Sequence, residues 1–358
     1  MRILMFSWRD MKNPAAGGAE VVTQEIGKRL VAKGHSMTLF APAFPSALKT
    51  EIVDGVEIIR AGGRYSVYWQ AAKYYRKYFQ GKYDVIIDQI NTRPFLTPKF
   101  VQKKERVVAF IHQLAREFWF YEMPFPISYV GYHWLEYSWL RNYRTIPTVT
   151  ISESTKDDLV RLGFQNINII SEGLNVRALE TVSDKEKLPT LMFVGRLTRA
   201  KKPRDAILAY KKVREQIPEV RMWVVGSGYL EADLRREAGP GVEFFGRVTD
   251  EKKYELMKRA NLVLMPGVRE GWGLVVIEAN AMGTPCVGYN IHGLRDSIRD
   301  GQTGRLCEPN PKAMADAALE FLKDKKLQER WSQQSLEYAR QFSWDRSADE
   351  LEQFLLGL

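Results

Sequence analysis

A chain of 358 residues, 45% hydrophobic and 27% charged, is too long for one ordinary core and too apolar to stay disordered, which points to two soluble globular domains. It has no run of eighteen apolar residues, which excludes a membrane-spanning helix; two cysteines, Cys286 and Cys307, are too few for a disulfide framework, so a reducing cytoplasm is expected. The formal net charge is +10, and residues 1–175 hold +7 of it as 23 Lys+Arg against 16 Asp+Glu, so the first half expects an anionic partner: nucleic acid, an acidic lipid surface or a phosphorylated substrate.

In chain order, "MRILMFSWRD" reads as a first buried strand and not as a signal peptide. "NPAAGGAEVVTQEIGKRLVAKGH" follows as a helix, with Val22, Ile26 and Leu30 at helical spacing and Gly34 as its stop. "SMTLFAP", "YDVIIDQ", "RVVAFIHQ", "TVTISES" and "INIISEGLN" read as strands, and "STKDDLVRLGF" as a capped helix between the last two. The second half repeats the plan. "PTLMFVGRL", "VRMWVVGSG", "VEFFGRV", "NLVLMPG" and "PCVGYN" are strands, and "KPRDAILAYKKVREQIP" is a helix facing inward through Ile207, Tyr210, Val213 and Ile217. Strand–helix alternation predicts doubly wound parallel sheets with ligands at the carboxyl ends of the strands. The polar stretch Val176–Lys187 separates the halves. The expected domains are therefore 1–175 and 176–342, with 343–358 as a C-terminal helix packing back toward the first domain.

Four features could carry chemistry. In "FVGRLTRAKKP", Arg196 and Lys201 follow a strand and precede a helix, the arrangement of a phosphate site; a solvated basic loop is the alternative. Gly17 and Gly18 join the first strand to the first helix, where backbone amides can meet phosphate oxygens, or where the chain simply turns. In "REGWGLVVIEANAMGTP", Glu270 precedes a Gly-rich turn and Glu278 sits on the helix after it. A carboxylate can accept two neighbouring hydroxyls of a sugar or ribose. His112 ends the strand "VVAFIH", from which a ring can donate to a substrate hydroxyl or phosphate. No D-x-D pair and no Cys/His cluster of zinc spacing occurs, so no metal is expected. The GxGxxG and GKS/T patterns of dinucleotide and P-loop sites are missing, which argues against a dehydrogenase.

Taken together, "GGAE" at 17–20, "SESTKDDL" at 152–159, "FVGRLTRAKKP" at 193–203, "VVGSG" at 224–228, "FFGRV" at 244–248, "EGWGLVVIEANAMGTPCV" at 270–287 and "DGQTGRLCEP" at 300–309 resemble the family 4 glycosyltransferases of GT-B fold. The resemblance implies an α/β architecture of two Rossmann-like, doubly wound domains facing a central cleft. It also implies a retaining, metal-independent enzyme using a nucleoside-diphosphate sugar. By that likeness Arg196 and Lys201 would hold the diphosphate and stabilise the leaving nucleotide. Glu270 would hold the donor sugar and Glu278 the ribose. Gly271, Trp272, Gly273 and Leu274 would offer backbone amides, and Arg247 and Val248 would meet the base. Gly17 and Gly18 would close over the diphosphate, with His112 near the reacting sugar. The chain departs from the family's "GKG" around the lysine with "AKKP", so Lys202 competes with Lys201.

The first half should then bind the acceptor. "RYSVYWQAAKYYRKYFQGK" at 64–82 has five Lys/Arg and no acid, and places Tyr65, Tyr68, Trp69, Ala72, Tyr75 and Phe79 on one helical face. "REFWFYEMPFPISYVGYHWLEYSWLRNYR" at 116–144 is dense in aromatics. These segments suit an anionic membrane surface and a lipid-linked or glycan acceptor, or else pack on the sheet. No nucleic-acid motif supports that partner. A soluble acceptor and a non-catalytic scaffold are the competing readings.

Overall fold

Short runs rich in β-branched and aromatic residues form two sheets because such side chains pack well on a pleat buried on both faces. The computed structural model describes residues 1–358 and falls into two units. One comprises Met1–Arg116, Phe125–Gly173 and Ser343–Leu358, and the other Glu117–Pro124 and Leu174–Phe342.

The first unit holds an eight-stranded sheet of β1 (Arg2–Phe6), β2 (Ser36–Ala41), β3 (Thr50–Val53), β4 (Val56–Arg60), β5 (Val85–Ile90), β6 (Arg106–Ile111), β7 (Thr148–Thr150) and β8 (Ile167–Ile169). Its order is β3-β4-β2-β1-β5-β6-β7-β8, parallel except for the β3–β4 pair. The second unit holds six strands, β9 (Thr190–Val194), β10 (Arg221–Val225), β11 (Val242–Gly246), β12 (Leu262–Met265), β13 (Cys286–Tyr289) and β14 (Gly304–Cys307). They are all parallel, in the order β11-β10-β9-β12-β13-β14. The helix Gly18–Ala32 buries Val22, Ile26 and Leu30 as its spacing predicts, and Gly34 follows it at φ +89°. The helix Pro203–Gln216 buries Ile207, Tyr210 and Val213.

Two elements go beyond the sequence reading. The β3–β4 hairpin turns at Asp54 and Gly55, which have φ values of +50° and +83°, the two left-handed residues a tight hairpin turn needs. β14 pairs with β13 at the sheet edge. A third element corrects it. In segment 64–82 the buried positions are Val67, Tyr68, Ala71, Tyr75 and Phe79, whereas Tyr65 and Trp69, expected on that face, are 64% and 68% exposed. The helix begins only at Val67, so Tyr65 precedes it. Beyond Tyr74 it continues as a wider turn over Tyr75–Phe79, which keeps Tyr75 and Phe79 inward.

Segment 343–358 forms a helix, Trp344–Leu356, that belongs to the first unit and lies along Gly18–Ala32. Trp344, Ala348, Leu351 and Leu355 are its buried apolar face. Arg29 meets Asp345 at 2.5 Å, Lys33 meets Glu352 at 2.6 Å and also Asp349, and His35 meets Glu352 at 2.7 Å. Apolar burial holds the helix and the partly exposed ion pairs set its register. Trp344 closes on Gly173, where a Cβ would lie 2.3 Å from its ring, so no larger residue fits there.

Candidate active site

In the second sheet the chain builds outward from β9 through β10 to β11, then returns to the other side of β9 as β12. The loops leaving β9 and β12 therefore emerge side by side at the carboxyl edge, at the point where strand order reverses. The amide of Val268 donates to Ala200 O at 2.9 Å and ties them together.

The β9 loop is fixed by an interlock with the loop after β10. Gly195 N donates to Val225 O and Leu197 N to Ser227 O, both at 3.0 Å. A Cβ on Gly226 would fall 1.9 Å from Gly195 O, and one on Gly228 2.4 Å from Leu197 O. The two glycines of "VVGSG" thus let one loop nest in the other. Gly226→Ala adds that clash at a backbone φ of +126°. The expected cost is about 4 kcal/mol or more, read as a lowered melting transition of the second unit. An unchanged melt would contradict this packing.

The interlock carries Lys201 to Glu270. Its Nζ lies 2.5 Å from Glu270 Oε1, with side-chain exposures of 23% and 11%. Lys202 turns elsewhere. It has φ +48°, lies 3.4 Å from Asp205 and sits over the Tyr289 ring. Of the two adjacent lysines, Lys201 is the one that meets the β12 loop. Arg196 is exposed and has no ion-pair partner. Gly273, at φ +102°, starts the helix Leu274–Ala281. The amides of Gly271, Trp272 and Gly273 before it have no acceptor in the protein, nor has the buried Trp272 Nε1.

Glu278, on that helix, accepts from Lys253 Nζ at 2.8 Å and from Tyr254 Oη at 3.3 Å. Burial raises the Glu278 carboxyl above its ordinary value while Lys253 pulls it down, and the upward effect is larger. Arg247 is exposed, and Val248 packs on the core beneath β11. The sequence reading missed Lys253 and Tyr254, although they follow "FFGRV" by a few residues on the helix Asp250–Arg259. It also missed Glu117 and Glu122 of the 117–124 segment. Glu122 accepts from Ala200 N at 3.0 Å, and Glu117 meets Arg269 at 3.0 Å. Nothing in the local pattern marks a segment from the first half as part of the second unit.

In the first unit, His112 lies just beyond β6 and is 6% exposed. It stacks on Phe110 with centroids 4.5 Å apart, and its Nε2 lies 2.8 Å from Gln89 Nε2. Gln89 is itself held by Thr23 at 2.6 Å and by Ser7. If the Gln89 amide donates as placed, His112 Nε2 accepts and Nδ1 carries the proton, buried and without a protein partner. Burial lowers the ring to about 4, so it is neutral at physiological pH. Gly17 departs from the ligand-facing turn expected of it. Its φ is −146°, ordinary extended backbone, and its amide donates to Glu20 Oε2 at 2.6 Å. Gly18 is the first residue of the helix that follows.

Two family models match successive parts of the chain, Glycosyltransferase Family 4 over residues 16–178 and Glycosyl transferases group 1 over residues 178–338. The glycogen synthase of Mycobacterium tuberculosis is 26% identical over 365 residues, covering 90% of this chain and 86% of its own. The phosphatidyl-myo-inositol mannosyltransferase of Mycobacterium leprae is 32% identical over 192 residues, 51% of each chain. Among solved structures, Anabaena Alr3699/HepE in complex with UDP-glucose superposes with a TM-score of 0.74 over the whole of both chains at 16% identity, a likeness of fold. Two parallel Rossmann-like sheets, together with family matches running almost end to end, show that this chain belongs to the family 4 glycosyltransferases of GT-B fold, enzymes of the hexosyltransferase class.

Proposed function

We propose that the protein is a retaining, metal-independent glycosyltransferase that takes its sugar from a nucleoside diphosphate. The carrying observation is the Lys201–Glu270 pair at the reversal point of the second sheet, with Glu278 on the helix that follows. A cation and a carboxylate held together there can separate onto one ligand, the ammonium to the diphosphate and the carboxylate to sugar hydroxyls. Arg196 adds a second cation beside the phosphates. Both charges offset the negative charge that develops as the sugar–phosphate bond breaks. The free amides of Gly271, Trp272 and Gly273 contribute to the same anion. Glu278 takes the ribose, releasing Lys253, and Arg247 and Val248 border the base. On the first unit the neutral His112 ring keeps a buried, unpartnered Nδ1 that can donate to a hydroxyl, whereas the Gly17 amide is already taken by Glu20. Retention follows from front-face attack, in which the leaving phosphate accepts the acceptor's proton.

The acceptor is a lipid-linked glycan or glycolipid at a cytoplasmic membrane face. Phe125, Ile127, Tyr129, Trp134 and Tyr137 stand exposed on the first unit, as do Trp69 and the basic side chains of Lys73 and Lys77. Aromatic and cationic side chains together favour an anionic bilayer surface. The likeness to the phosphatidyl-myo-inositol mannosyltransferase is consistent with this. A soluble acceptor is the second reading, favoured by the glycogen synthase relative, which aligns with more of the chain. Flotation with anionic liposomes separates the two.

Calorimetry with UDP, GDP and ADP in EDTA tests the donor side. One nucleotide should bind the wild type, and Glu278→Ala should weaken it by roughly tenfold or more, the loss of paired hydroxyl contacts. Folded protein that binds none of the three would sink the transferase reading and favour a non-catalytic scaffold.

A further inference from the structure

The first sheet has a reversal point of its own. β1 lies between β2 and β5, with the chain building outward through β2, β4 and β3 on one side and through β6, β7 and β8 on the other. Loops leaving such a pair border a ligand crevice in open parallel sheets. Here they carry Trp8 and Arg9 after β1 and Arg93 after β5, and the turn into the helix Val67–Tyr74 adds Arg64.

These side chains alternate in space. The Arg9 and Arg64 guanidinium carbons lie 5.5 and 5.8 Å from the Trp8 ring centroid. Trp8 is 6.2 Å from Tyr68. Arg93 lies 4.4 Å over Tyr68 and 5.9 Å from both Trp69 and Trp139. Two segments far apart in sequence, 64–82 and 116–144, therefore meet at one guanidinium.

Neither Arg64 nor Arg93 has a carboxylate partner. Some other arginines lying over rings do, Arg60 with Asp10 and Glu51, Arg235 with Glu231 and Arg259 with Glu186 and Glu255, while Arg116, Arg144 and Arg299 stack without an ion pair. Asp88, the acid that acts on Tyr68, is fully buried and already bonded to Phe95 N, to Thr97 N and Oγ1, and to Tyr143, and Asp10, next to Arg9 in the chain, is paired with Arg60. Arg9, Arg64 and Arg93 all act on the Tyr68 phenol, lowering its pKa against a larger rise from burial. A guanidinium laid on a ring is pre-oriented and weakly hydrated, and its free edge suits the paired oxygens of a phosphate. The flat apolar rings beside it suit a sugar face or a lipid chain.

We propose that Arg64 and Arg93, held on Trp8, Tyr68 and Trp69, form a subsite for a phosphate or diphosphate group carried by the acceptor. The word acceptor rests on the transferase reading; the anion site does not. The same phosphate chemistry reaches the site from a lipid headgroup or from a soluble sugar phosphate.

The test uses the full chain carrying Arg196→Ala and Lys201→Ala, so that the cations of the second unit cannot report. Inorganic pyrophosphate is titrated in EDTA and followed by tryptophan fluorescence and calorimetry. Adding Arg64→Gln and Arg93→Gln should weaken binding by roughly tenfold or more. Arg64→Gln alone, at an exposed position, carries the test if the combined variant loses its fold. Glucose 1-phosphate, and phosphatidylcholine vesicles with and without phosphatidylglycerol, then identify the source as the ligand whose binding the arginine changes reduce. Absence of pyrophosphate binding, or an affinity unchanged by the arginine substitutions in folded protein, overturns the proposal. Nucleotide binding by the wild type is measured alongside, so failure of the transferase reading shows separately.

Discussion

Lys201→Ala is expected to lower kcat/KM by about 10²–10³-fold, the loss typical of removing one preorganised group that stabilises transition-state charge. The neighbouring Lys202 cannot take over. Its backbone is left-handed and its side chain is turned to Asp205 and Tyr289. Lys201→Arg should not restore the rate, because a planar fork does not reproduce a compact ammonium 2.5 Å from Glu270. Steady-state kinetics with the nucleotide-sugar identified by calorimetry give the answer. Full activity in Lys201→Ala, with loss in Lys202→Ala, would transfer the role to Lys202. Glu270 is measured in parallel, since the substitution removes the cation from a carboxylate on a largely buried side chain.

Glu172→Gln is expected to stabilise the protein, and more so as pH rises. Glu172 follows β8, is 2% exposed, and its Oε2 has no partner. Burial pushes its carboxyl up to about 8. The unfolded chain ionises near its ordinary 4.5, so between these values the folded state holds a proton that the unfolded state has released. Folding stability from this group is complete below about 4.5 and is lost as pH rises to about 8, amounting to about 3 kcal/mol by pH 7. Thermal melts should show the variant close to wild type near pH 5 and higher by roughly 5–10 °C near pH 8. A difference independent of pH would refute the assignment. His112 acts in the opposite sense. Its pKa is depressed from 6.5 to about 4, so stability is lost as pH falls through that range, and this acid limb should persist in Glu172→Gln.

The strands were legible because each is a short buried run bounded by turn residues, and both sheets follow from their alternation with helices. The β3–β4 hairpin was missed although Asp54–Gly55 is a standard hairpin signal, because its strands are half-exposed and do not form an apolar run. Lys201, Glu270 and Glu278 could be read from spacing, since each lies within a few residues of a strand end or a Gly-rich turn. What spacing could not give is which groups meet. Lys253 reaches Glu278 across 25 positions, and Glu122 reaches the β9 loop across 78. Such pairings are set by strand order, which no local pattern encodes. The aromatic face of 64–82 was misplaced because the helical period was counted from Tyr65, two residues before the helix starts.

The return of Trp344–Leu356 to the first unit has a consequence for synthesis. Gly173 and the flank of Gly18–Ala32 remain uncovered until a helix encoded beyond the whole second unit has been made. At about 5–20 residues per second, the intervening segment 174–342 imposes a wait of roughly 10–30 s. During that interval the ribosome carries a first unit lacking one helix, with an apolar groove open to water. The second unit, whose sequence from Leu174 is complete by Phe342, can finish nearly all of its packing first. Maturation on the ribosome then runs against chain order: the half that begins first closes last, and a nascent-chain chaperone has its longest opportunity at the groove that Trp344 later fills.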